Sequence, residues 1–135
     1  MMESISIQSL RIVEDQLQQI QEAIQKLELW NAALNDVNDL LVSQEGMKTL
    51  AADCMLIEAI GEGIKRIDER THQQLLSARP EIPWKAVKGM RDHIAHGYFD
   101  INTDFVWDVI KNDLPALKDA IGYLKEHLYE IVPFD

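Results

Sequence analysis

Apolar residues recur at steps of three and four along two long stretches of this chain, and nothing in it reads as a strand. In the first stretch Leu10, Val13, Leu17, Ile20, Ile24 and Leu27 fall on one stripe of a helix with 3.6 residues per turn. In the second, Leu50, Cys54, Ile57, Ile60, Ile64 and Ile67 do the same. Stripes of this kind must be buried against other helices, which predicts an all-α fold. The 135 residues suit one domain with one core, taken as residues 1–135, and an apolar content of 47% excludes a disordered chain.

The punctuation of the sequence sets the expected boundaries. A first helix is expected from Ile5 to Leu29, followed by an irregular connection with a short helix at Asp36–Val42. A second helix is expected from Glu45 to Leu76. Gly61 and Gly63 lie inside it and lower its intrinsic helicity by about 1 kcal/mol each relative to alanine, so they point to a close approach by another helix. Arg79-Pro80-Glu81-Ile82-Pro83 breaks the chain. Pro83 at the first helical position opens a third helix, and Gly97 is the left-handed residue expected to close it. A fourth helix, capped by Thr103, is expected to reach Tyr129 and to be kinked or split by Pro115. Four helices with short connections make an up-and-down four-helix bundle.

The third helix is expected to carry the run Arg91-Asp92-His93-Ile94-Ala95-His96-Gly97-Tyr98. Breaking an RNA strand without a metal requires a group that moves protons near neutral pH, which an imidazole does with an ordinary pKa near 6.5. It also requires a cation beside the phosphate, and the arginine fork matches phosphate oxygens. On one ideal helix Arg91 and Tyr98 share a face, whereas Arg91 and His96 lie roughly 140° apart. A fraying helix end or a second copy of the chain must then bring the two to one phosphate.

Charge leaves two readings of this region open, an RNA-facing patch and an ordinary solvated helix face. The net charge of −10 opposes binding to RNA. Residues 65–98, however, hold seven Lys or Arg against four Asp or Glu, a net of +3 in an otherwise acidic chain. Lys85 and Lys88 are candidate RNA contacts there. Other chemistries are poorly supplied. His93 and His96 have no Glu-x-x-His or Cys-x-x-Cys companion, so no metal is expected, and no phosphate loop or other cofactor motif appears. The lone Cys54 excludes an intramolecular disulfide and reads as a small buried hydrophobe. Trp30, Trp84 and Trp107 read as core or interface anchors, and His72 and His127 have no partners that sequence identifies. Without a signal peptide or membrane span, a cytoplasmic location is the expectation.

The spacing Arg-x4-His-x-Tyr resembles the signature of the HepT-like toxins of the HEPN superfamily. Its flanks strengthen the likeness: Pro80 to Met90 upstream, then Phe99, Trp107-Asp108 and Asn112-Asp113-Leu114-Pro115-Ala116-Leu117 downstream. The resemblance implies a HEPN-like bundle and a metal-independent endoribonuclease, the toxin of a type VII toxin–antitoxin pair. It implies Arg91 and His96 as the catalytic pair, with Asp92 and His93 supporting. It further implies a homodimer and an MntA-type nucleotidyltransferase antitoxin that adenylylates Tyr98. The rival reading is a noncatalytic helical subunit that docks a nucleotidyltransferase.

Overall fold

The computed structural model describes residues 2–135, which are all-helical apart from two isolated β-bridges. The first helix, α1, is Ile7–Asn31, capped by the Ser6 side chain, which accepts from the Ser9 N–H at 3.1 Å. It starts later than the hydrophobic pattern predicts because Ile5 pairs with Phe134 in a parallel bridge. The six apolar residues of its stripe are all buried. Asp36 caps a single 3-10 turn, Val37–Leu40, where a short helix was expected.

Helix α2 spans Gln44–Arg70 with Ser43 as its cap. It ends six residues before Leu76. Thr71 is buried and its hydroxyl donates to the Ile67 carbonyl at 2.8 Å. His72 and Gln73 then adopt left-handed backbone, φ 51° and 61°, and the reversal delivers Leu75 and Leu76 into the core. His72 finds a partner in Glu3 near the N-terminus.

α1 and α2 run antiparallel, since Asn31 meets Asp53 and Gly63 meets Ile20. A Cβ on Gly63 would stand 3.1 Å from the Ile20 side chain, so this glycine does serve a close helix approach. The Asn31–Asp53 contact is buried: Asn31 Nδ2 donates to Asp53 Oδ1 at 2.9 Å. Burial lifts the Asp53 carboxyl to about 7, the Asn31 hydrogen bond opposing the shift. Cys54 is buried as well, and its thiol is pushed up to about 11 by burial and then by the neighbouring carboxylates.

The third helix is in two pieces, α3 at Trp84–Lys88 and α4 at Arg91–Ile94. Pro83 is the residue before α3 rather than its first. Gly89, a weak helix former, marks the break. Gly97 does not cap this helix as expected. Ala95 is already extended (φ −164°, ψ 152°), so the helix ends three residues earlier. Gly97 keeps its predicted left-handed character, φ 119°, but inside a loop.

The last helix is capped by Asn102, whose Oδ1 accepts from the Phe105 N–H at 3.1 Å, and not by Thr103. It runs as α5 (Thr103–Asp108), one π turn (Val109–Asp113), α6 (Leu114–Glu126) and a short α7 (Leu128–Ile131). The π turn ends two residues before Pro115, whose missing N–H and ring disfavour a regular turn there. α6 is antiparallel to α1, as the Lys118–Glu28 and Lys125–Gln18 contacts show. The result is a helical bundle in which α2 packs against α1 on one side and against α3, α4 and α5 on the other, the two short helices filling the third position.

Candidate active site

The segment that carries the motif is fastened to α2 at several points. A Cβ on Gly61 would lie 3.0 Å from the Val87 carbonyl oxygen, so α3 seats its C-terminal end directly on the α2 backbone. Next to this contact the Lys88 ammonium pairs with the largely buried Asp68. Upstream, Trp84 Nε1 donates to the Arg79 carbonyl at 2.9 Å. Arg79 in turn bridges Glu81 and Asp119, both at 2.7 Å. The Asp119 and Glu81 carboxylates hold the Arg79 guanidinium above its ordinary pKa, and Arg79 holds Glu81 below its own. Two of the seven cations in the basic region are therefore committed to the fold. Lys88 is one of them; Lys85 is exposed and without an ionic partner among the described residues.

Beyond Ile94 the chain leaves the helix and forms a loop pinned at its base. Ala95 bridges Ile101, and the Asn102 N–H donates to the Ile94 carbonyl at 2.7 Å. Inside the loop the His96 N–H donates to the Asp100 carbonyl at 3.2 Å, and the Asp100 N–H to the Gly97 carbonyl at 3.1 Å. No atom outside its neighbours lies within 4 Å of a Cβ placed on Gly97, so glycine is needed for its φ and not for space.

A shallow depression of about 410 Å³ collects Asp92, His93, His96, Asp100 and Asn102. Neither Arg91 nor Tyr98 lines it. Both are exposed, Tyr98 at 62%, with Phe99 beside it at 98%. His96 and Tyr98 are not on a helix at all, so the angles expected for one continuous helix do not apply to them. Among the described residues the side chains of Arg91, Asp92, His93, His96 and Tyr98 make no hydrogen bond or ion pair. The other two histidines do: His127 meets Glu130 at 2.9 Å, and His72 meets Glu3. Asp100 and Asn102 were missed from sequence. Their signal was turn chemistry, an Asp and an Asn just after a left-handed glycine.

Of the three tryptophans, Trp84 and Trp107 pack partly against the core, and Lys111 Nζ sits 4.7 Å from the Trp107 ring centroid; Trp30 is exposed at 42%. Among the described residues no three His, Cys, Asp or Glu side chains are grouped to hold a metal ion. No helix among them is long and apolar enough to cross a membrane.

The sequence model described as ribonuclease HepT-like matches residues 20–124, most of the chain and all of the Arg91–Tyr98 segment. This chain belongs to the HepT-like family. Individual relatives agree. A Thermococcus cleftensis protein named probable ribonuclease HepT is 33% identical over 116 residues, covering 84% of this chain and 96% of the relative. Two Methanocaldococcus jannaschii proteins named as candidate RNases are each 31% identical, one over 91 residues and one over 89, each covering 66% of this chain and 72% of the relative. No solved structure is a significant match. The HepT-like match takes in α2, α3, α4 and α5, the elements that build the depression and hold it in place.

Proposed function

We propose that this chain is a metal-independent endoribonuclease and the toxin of a toxin–antitoxin pair. The observation that carries the reading is that Arg91 and His96 are exposed and make no hydrogen bond or ion pair among the described residues, on a segment fastened to α2, in a chain of a family described as ribonucleases. A bundle that needed these side chains for stability would have partnered them.

The reaction needs no co-reactant. The ribose 2′-oxygen bonds to the adjacent phosphorus as the bond from phosphorus to the 5′-oxygen breaks. One proton leaves the 2′-hydroxyl and one arrives at the 5′-oxygen, with His96 as the group that takes or gives it. Arg91 stabilises the charge that builds on the phosphoryl oxygens. The products are a 2′,3′-cyclic phosphate and a 5′-hydroxyl. Asp92 and His93 share the depression with His96 and support it once RNA is bound, and Lys85 offers a phosphate contact, while Lys88 acts through Asp68 as a structural tie.

Arg91 lies outside the depression that holds His96. A homodimer in which Arg91 of one copy faces His96 of the other completes the site, and this geometry favours the nuclease as a dimer. The partner in this reading is an MntA-type nucleotidyltransferase that transfers AMP from ATP to the Tyr98 hydroxyl, releasing pyrophosphate. The exposure of Tyr98 meets the need for access. The deciding experiment incubates purified protein with RNA in EDTA beside His96→Ala. Cleavage by the wild type alone, ending in cyclic phosphates, is expected. Cleavage that EDTA stops and a divalent metal restores removes the mechanism, and equal cleavage by His96→Ala removes the residue assignment.

A further inference from the structure

A second concavity adjoins the motif, and its chemistry is opposite. It is a groove of about 390 Å³ between α3 and the π turn with the start of α6. Its floor is apolar, with Ile82, Val87, Met90, Phe105, Val109 and Leu114. Its rim carries Glu81, which is paired with Arg79, together with Asn112 and Asp113. His93 belongs to both concavities and forms the ridge between them. The His93 ring stands 5.6 Å from the Phe105 ring, tilted by 40°.

We propose that this groove receives one unpaired nucleobase of the RNA next to the phosphate being cut. The inference rests on the ribonuclease reading and gives that reading its substrate class: single-stranded RNA with a base free to turn out of a stack. Three observations converge on a base. The groove is apolar, and the cation nearest its rim, Arg79, is already paired with Glu81 and Asp119, so the groove disfavours a phosphate and accepts a flat, neutral ring, which aromatic and apolar walls hold by stacking. Glu81 is held by Arg79, but the Asp113 carboxylate and the Asn112 amide oxygen make no hydrogen bond among the described residues and match exocyclic amines, which carboxylates recognise on bases. The shared His93 sets the groove one side chain away from the His96 depression, so that the two are adjacent. The π turn contributes Val109, Asn112 and Asp113 to the lining; single π turns recur at functional sites.

The test uses the full chain and short RNA oligonucleotides with a 2′-deoxy sugar at the attacking position, so that they bind without being cut. One series carries a base beside that position and the other an abasic sugar. Wild-type protein is expected to bind the base-bearing series roughly tenfold or more tightly. Ala86→Leu and Ala116→Leu fill the groove from exposed positions on helices, without touching the core. Each should erase the preference and leave abasic binding unchanged, with helical circular dichroism intact. Equal binding of both series by the wild type overturns the proposal, as does a preference that survives both leucines. Weakened self-association in the leucine variants with base discrimination intact assigns the groove to a protein surface instead. Failure of the parent reading looks different: all-ribose RNA stays uncut although the base preference is present. Cut RNA without any base preference removes the groove proposal alone.

Discussion

At the residue scale the molecule holds two opposite kinds of polar group. Arg91 and His96 are exposed and unpartnered, so replacing either by alanine should leave stability within about 0.5 kcal/mol. Each replacement should lower RNA cleavage by roughly 10²–10³; gel assays of cleavage beside thermal melts check both halves. Tyr98→Phe should keep nuclease activity and escape silencing by the adenylylating partner. Intact-mass spectrometry after incubation with partner and ATP should show AMP on the wild type and none on the variant. Asp53 is the opposite case, fully buried, with Oδ2 and Asn31 Oδ1 both lacking partners. A proton on Asp53 turns Oδ2 into a donor. Its folded pKa, about 7, lies above the unfolded 3.8. The folded state therefore binds the proton more tightly, its stabilising effect is complete below about pH 4, and stability falls as pH rises from there to about 7. The loss is at most about 4 kcal/mol. Asp53→Asn should flatten that slope and raise the melting temperature at pH 8; a slope unchanged in the variant contradicts the assignment.

At the element scale, two short helices stand where Pro83 and Gly97 predict the bounds of one. What keeps them in place is contact with α2 through Gly61 and the Lys88–Asp68 pair, and not helix propensity. Gly61→Ala separates the two effects. Alanine favours a helix by about 1 kcal/mol over glycine, yet its Cβ would press the Val87 carbonyl at 3.0 Å. Overpacking against backbone typically costs about 1–3 kcal/mol, so the variant should be no more stable than the wild type and should cut RNA more slowly. Denaturant melts and cleavage rates decide it, and a simple gain in stability with full activity refutes the close seat. The helices and their core faces were legible in sequence because burial of a 3.6-residue stripe repeats over many turns. Gly61 and Gly63 were legible for the same reason, as breaks in propensity without a break in pattern. The end of α2 was not. Thr71-His72-Gln73 has no glycine or proline to mark it, and the two left-handed residues are held by the burial of Leu75 and Leu76.

At the scale of the whole molecule, the separation of Arg91 from the His96 depression makes assembly part of the chemistry. Mixing Arg91→Ala with His96→Ala tests it directly. In a symmetric dimer with shared sites, half of the dimers are mixed and each holds one complete site. Activity should return to roughly a quarter of wild type. Two inactive variants that stay inactive after exchange of subunits, or an active monomer in sedimentation, would rule out the shared site. The surface charge acts at this scale too. The cations beside the motif lie in a molecule of net charge −10, so binding of nonspecific RNA should be weak and should fall further with salt.

By itself the sequence determined the all-helical class, the faces of α1 and α2 that form the core, the left-handed Gly97 and the segment that carries the motif. Periodicity and residue chemistry are local, and local signals survive without coordinates. Only the tertiary structure decided where the motif leaves the helix. That exit depends on Ala95 pairing with Ile101 and on the Asn102 N–H reaching the Ile94 carbonyl, contacts that no spacing records. It also decided that Lys88 belongs to Asp68, twenty residues away on another helix, and that His93 divides a polar depression from an apolar groove. Such pairings are set by how α3, α4 and α5 pack against α2, so they exist only once the bundle has closed.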